Sequence, residues 1–242
     1  MNHSIVVKTG AFFMSAFMLL TGVIPALPAQ AASNPPVGLY SALQDDEDDE
    51  DEDEDYSRYS RSRYSGTLGR KIRALDDDEV ENLPIPIIMG VRLANIWPNF
   101  GDPRDGGARQ HEGLDIMAPR GAAIGSPTEA VVTRTGKGSG SGTYVQTANP
   151  GGETFYYYHL DEIADGIKAG TELEVGDILG YVGNTGNASG GAPHLHWEIR
   201  DGRRATDPFP RLTKEFSDEV RIRYLTGLLE ELQKELARLL RN

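Results

Sequence analysis

His194-Leu195-His196-Trp197-Glu198-Ile199 alternates between two kinds of side chain. On a β-strand successive side chains point to opposite faces. Leu195, Trp197 and Ile199 then form one apolar face fit for a core. His194, His196 and Glu198 share the other, where two imidazoles side by side make a poor core and a good site. The same β texture extends outward on the N-terminal side, in runs such as Ala130-Val-Val-Thr133, Thr143-Tyr-Val-Gln-Thr147, Thr154-Phe-Tyr-Tyr-Tyr-His-Leu160 and Ile178-Leu-Gly-Tyr-Val182. Glycine-rich breaks at residues 136–142 and 183–191 separate them. Many short strands between frequent turns predict a mainly β, compact antiparallel sheet domain over residues 84–212. No helix-length periodic segment intervenes, which argues against alternating β and α units. Neither glycine-rich stretch fits a phosphate-binding fingerprint.

The flanks differ from this domain. The chain has 242 residues, 28 glycines, 14 prolines and no cysteine, which excludes disulfides, thiolate ligands and a cysteine nucleophile. Its formal charge of −13 is local: residues 45–55 hold 11 of the 37 acidic residues, and the other 26 face 24 basic ones. Residues 1–31 read as a secretory signal, with Lys8, an apolar stretch over 11–24, and Ala29-Gln30-Ala31 as a cleavage signature. The apolar stretch is shorter than the roughly 18 to 20 residues of a spanning helix. A periplasmic or secreted location is therefore expected.

Residues 32–83 read as a disordered linker, first acidic and then Arg/Tyr-rich, where Arg58, Arg61 and Arg63 interleave with Tyr56, Tyr59 and Tyr64. A low-complexity linker is the simpler interpretation of this segment than a binder of anionic polymer, and no nucleic-acid partner is expected. Residues 213–242 carry Ile222, Leu225, Leu229, Leu232, Leu236 and Leu239 in steps of three and four, the seam of an amphipathic helix. That helix either completes the core of the β domain or meets a protein partner or a second copy of itself.

Four histidines fall inside the β domain: His111, His159, His194 and His196. In His111-Glu112-Gly113-Leu114-Asp115 the His and the Asp share a face whether the backbone is extended or helical, while Leu114 and Ile116 face the core. Gly113 is expected to leave room for a metal, and Glu112 to be a solvated carboxylate. Two imidazole nitrogens and one carboxylate oxygen suit zinc, leaving a fourth position for water. Zinc brings the pKa of such a water to about 7 and polarises a carbonyl, and two spare histidines can move protons. A serine hydrolase is the rival use of these residues, but no G-x-S-x-G elbow is present, and Ser189 lies in a glycine-rich loop.

His111-Glu-Gly-Leu-Asp115, the His159 after a tyrosine run, and His194-Leu-His196 resemble the LytM/lysostaphin-type M23 peptidases. So do Phe100-Gly-Asp-Pro-Arg104, Ala118-Pro-Arg-Gly121 and residues 175–186. The resemblance covers about residues 86–210. It implies an antiparallel β-sheet or half-barrel with a narrow groove. It further implies zinc ligands His111, Asp115 and His196, with His194 as general base and His159 orienting the water or stabilising the tetrahedral intermediate. The implied substrates are the peptide stems or cross-bridges of bacterial peptidoglycan. Some relatives have lost metal ligands and activate other wall hydrolases; here no expected ligand is missing. The acidic run, the Arg/Tyr segment and the leucine helix are not features of that family.

Overall fold

The computed structural model describes residues 64–241. The expected leader, the acidic run and the arginines of the Arg/Tyr segment lie outside the described residues. In chain order the elements are α1 (Gly66–Ile72), β1 (Leu83–Pro84), β2 (Pro103–Arg104), β3 (Arg109–Gln110), β4 (Leu114–Met117), β5 (Ala123–Gly125) and β6 (Ala130–Gly138). There follow β7 (Gly142–Ala148), β8 (Thr154–Ile163), β9 (Glu172–Leu173), β10 (Ile178–Val182), β11 (His194–Asp201), β12 (Arg204–Thr206), β13 (Leu212–Lys214) and α2 (Asp218–Leu239). Nine strands form one sheet running β12-β11-β8-β7-β6-β9, with β4 on β11 and with β10 joining β8 and β5. Every pairing in this sheet is antiparallel. The mainly β architecture follows the alternation in the sequence.

Leu114 and Ile116 of β4, Phe155 and Tyr157 of β8, and Leu195, Trp197 and Ile199 of β11 are all fully buried. Trp197 and Phe155 meet edge to face, ring centroids 5.5 Å apart. Each such side chain contributes about 1.5–3 kcal/mol by leaving water. Because the core occupies one face of β11 and β8, their other face is left for chemistry.

Residues 64–83, placed in the linker by the sequence, are folded from Tyr64 onward. Helix α1 sets Ile72 against Val131 and Ala148, with Tyr64, Leu68 and Leu75 packed beside them. Lys71 Nζ caps the contact by donating to Gly170 O at 2.8 Å. At the other end α2 begins at Ser217, whose hydroxyl accepts from Val220 N–H, and carries Asp218 and Glu219 in its first turn. Among the described residues it docks through its first turns: Val220 and Tyr224 pack with Phe216, Ile88 and Ala123. Leu229, Leu236 and Leu239 remain exposed. The parallel pair β1–β13 closes the domain where the chain enters and leaves it.

Candidate metal centre

Antiparallel pairing of β11 with β4 sets His196 opposite Asp115 and His194 opposite Met117. His111 lies just before β4 and folds back over the same point. His196 Nδ1 is 2.8 Å from Asp115 Oδ1 and 2.9 Å from His111 Nε2, and His111 Nε2 is 3.1 Å from Asp115 Oδ1. Three side chains from two separate segments thus present one ligand atom each to a common point.

The outward atoms of these groups define their protonation. His111 Nδ1 lies 2.7 Å from the carbonyl of Asn99, which only accepts, so Nδ1 carries the proton. His196 Nε2 lies 2.9 Å from Glu198 Oε1. Burial works to raise the Glu198 pKa, but hydrogen bonding and charge from His196, then Arg200, bring it below its ordinary value. An ionised carboxylate also only accepts, so Nε2 is the protonated nitrogen. In these neutral tautomers both inward nitrogens present lone pairs, facing each other and a carboxylate oxygen. Lone pairs 2.9 Å apart repel unless a cation or a proton lies among them. With no ion between them, protons on the inward nitrogens take its place: burial works to raise the Asp115 pKa, but hydrogen bonds and charge from the protonated His111 and His196 hold it far below the usual carboxylate range. His196 is raised despite its burial, through Asp115 and Glu198. The donor set suits a divalent ion.

The remaining two histidines border the same point. His194 donates from Nδ1 to Ala192 O at 3.0 Å, leaving Nε2 3.9 Å from Asp115 Oδ1. The His159 ring stands 5.1 Å from that of His194 and 5.8 Å from that of His196. His159 has a φ of 63°, the left-handed region that a non-glycine residue rarely adopts. The register of β8 with β7 slips nearby, between Thr143 and Val145, and Leu160 turns inward where simple alternation would face it outward. The bulge therefore re-aims His159 towards the site. Its Nδ1 donates to Thr185 O at 2.9 Å. Burial, and then the charge of His194, lower its pKa to about 4, so it is neutral at pH 7 with its lone pair on Nε2. A groove of about 610 Å³ opens over these residues, lined also by Tyr158, Ser141, Asn187 and Arg109.

The structure thus brings together all five residues singled out from the sequence: His111, Asp115, His159, His194 and His196. One detail differs from expectation. The space at Gly113 does not open towards the cluster: a Cβ there would come within 2.7 Å of Trp197 O and 2.8 Å of His196 Nε2. Glycine is needed for the close approach of β11. Glu112 is exposed, as expected of a solvated carboxylate, and it also accepts from Arg200 Nη2 at 2.7 Å. Sequence reasoning also missed Asn99 and Arg104. Arg104 Nη2 donates to Asp115 Oδ2 at 2.7 Å, as does Asn99 Nδ2 at 3.3 Å, turning Oδ1 inward. The fragment Phe100-Gly-Asp-Pro-Arg104 carried the only hint of this.

Residues 109–208 match the sequence profile of Peptidase family M23. They form an M23 peptidase domain. An L-Ala–D-Glu endopeptidase of Bacillus subtilis is 34% identical over 139 residues, covering 53% of this chain and 42% of its own. The peptidoglycan DD-endopeptidase ShyC of Vibrio cholerae is 30% identical over 106 residues, covering 44% of this chain and 24% of its own. The chain therefore spans less than half the length of either curated relative. Among solved structures, the catalytic domain of lysostaphin from Staphylococcus simulans is 26% identical, with a TM-score of 0.43, covering 49% of this chain and 92% of that one. The segments 64–83 and 212–241 lie outside the M23 match, which takes in all four histidines and Asp115.

Proposed function

We propose that the M23 domain is a zinc-dependent endopeptidase acting on the peptide stems or cross-bridges of bacterial peptidoglycan, outside the cytoplasm. The observation that carries this reading is the convergence of His111 Nε2, Asp115 Oδ1 and His196 Nδ1, with the outer atom of each group already engaged by a partner. These three atoms would hold the ion. Zinc, when bound, supplies Lewis acidity towards a substrate carbonyl and makes a neighbouring water acidic.

The chain's own residues would do the rest. His194, anchored through Nδ1, turns Nε2 towards the cluster and takes the proton of the attacking water. His159, neutral and hydrogen-bonded through Nδ1, offers an acceptor lone pair. That suits orienting the water better than donating to an oxyanion. Ser141 O holds the His159 backbone N–H at 2.9 Å, which fixes the bulge beside the groove. The relatives' names, L-Ala–D-Glu endopeptidase and peptidoglycan DD-endopeptidase, support a wall-peptide substrate. A complete donor set favours hydrolysis over a regulator that only binds and activates another wall hydrolase.

The test is mass spectrometry of material released from purified peptidoglycan by the full chain and by His111→Ala. New peptide ends with the wild type, lost in the folded variant, are expected. Equal release by both contradicts the reading. No release by zinc-loaded wild type favours the regulator.

A further inference from the structure

Beyond the three donors runs a line of charges that the reading above leaves without a task. His196, Glu198 and Arg200 occupy alternate positions on one face of β11. Glu198 Oε1 accepts from His196 Nε2 at 2.9 Å, and its Oε2 accepts from Arg200 Nε at 2.8 Å. The same guanidinium reaches across to Glu112 Oε2 at 2.7 Å through Nη2. The Glu198 side chain is only 6% exposed. A carboxylate so enclosed is costly unless each oxygen is satisfied, and here each oxygen has one partner, the imidazole on one side and the arginine on the other.

Two further contacts restrict the His196 ring. Tyr158 stacks on it, centroids 5.6 Å apart and planes 9° apart. Gly113 passes so close that a Cβ would lie 2.8 Å from His196 Nε2 and 2.9 Å from Glu198 Cγ. The imidazole–carboxylate contact fits only because position 113 has no side chain.

We propose that Glu198 is a positioning residue for the metal: its carboxylate fixes the Nε2–H tautomer and the ring plane of His196, so that Nδ1 is always offered as a lone pair to the ion. Arg200, pinned at its far end by Glu112, keeps that carboxylate turned to the outer nitrogen and away from the ion. This inference rests on the reading of His196 as a zinc ligand. Carboxylates bonded to the second nitrogen of a metal-bound histidine orient the ring, and losing one typically costs 10–100-fold in affinity.

The experiment measures zinc affinity of the full chain by competition with a chelating dye, for the wild type, Glu198→Gln and Glu198→Leu. Thermal unfolding of each metal-free protein and ¹⁵N-histidine NMR of the His196 tautomer accompany it. Glu198→Leu is expected to weaken zinc binding by about 10–100-fold and to give a mixed His196 tautomer. Glu198→Gln keeps an acceptor and is expected to fall between Leu and wild type. Should Glu198→Leu not fold, the near-isosteric Gln variant decides: affinity within twofold of wild type, with an unchanged tautomer, overturns the inference. The same result with a folded Leu variant overturns it equally. A wild type that binds no zinc overturns the reading of the site and this inference with it. Tight wild-type binding matched by both variants overturns the inference alone.

Discussion

His159 shows how one residue's backbone can serve its side chain. Its φ of 63° carries a strain of about 1–3 kcal/mol, and Ser141 O and Thr185 O are the fixed acceptors that hold it. Its depressed pKa has a consequence for stability. The imidazole titrates near 6.5 in the unfolded chain and at about 4 in the folded one. Between these values the unfolded chain binds the extra proton. Stability present above pH 6.5 is therefore lost as pH falls towards 4, and no further loss from this group follows below that. In metal-free protein, chemical unfolding from pH 7.5 to 4 should show a steeper loss for wild type than for His159→Gln; parallel curves would contradict the assignment. His111, His194 and His196 were legible through period-two alternation, whereas His159 was legible only through the family resemblance. Asn99 and Arg104 were not, since they reach Asp115 from a turn and a short strand with no spacing rule. Gly113 was legible as a special position, but its reason was not: the tight neighbour is a strand 84 residues away.

At the level of elements, strands β4, β8 and β11 were readable from alternation, and β11 delivered core and site from opposite faces. The bulge in β8 was hidden, because nothing in Tyr-Tyr-Tyr-His-Leu marks where alternation resets. Helix α1 had a signal in the apolar spacing of Tyr64, Leu68, Ile72 and Leu75, masked by basic neighbours and a length of 7 residues. The ion pair between β13's leading turn and β8's start was unreadable, since its partners are 58 residues apart. Arg211 donates to Glu153 Oε1 at 2.5 Å and to Oε2 at 2.9 Å, and also to Val80 O. Glu153 is 4% exposed, and burial raises its pKa although Arg211 opposes this. Arg211→Met should cost about 3–5 kcal/mol by leaving that carboxylate unpaired, read from urea unfolding. Adding Glu153→Gln should recover part of it. A loss below about 1 kcal/mol would assign the pair to the weak class of exposed ion pairs.

Over the described molecule, the sheet domain ends where β1 meets β13, and the 22 residues of α2 add no buried side chain. The heptad seam correctly foretold a helix. It left open what the seam covers, and among the described residues only Val220 and Tyr224 of the helix join a core cluster, beside Phe216. Truncation after Leu225 should therefore shift the thermal midpoint little, whereas Phe216→Ala should lower it by several degrees, as core truncations do. A large loss on truncation, growing with protein concentration in the intact chain, would instead assign the seam to self-association. The sheet's main task is to carry residues 111, 115 and 196 to one point from segments 81 residues apart. Anomalous diffraction at the zinc edge from crystals of the zinc-loaded chain tests that convergence most directly. The expected result is a single strong peak about 2.0–2.2 Å from His111 Nε2, Asp115 Oδ1 and His196 Nδ1. A peak elsewhere, or none at saturating zinc, would contradict it.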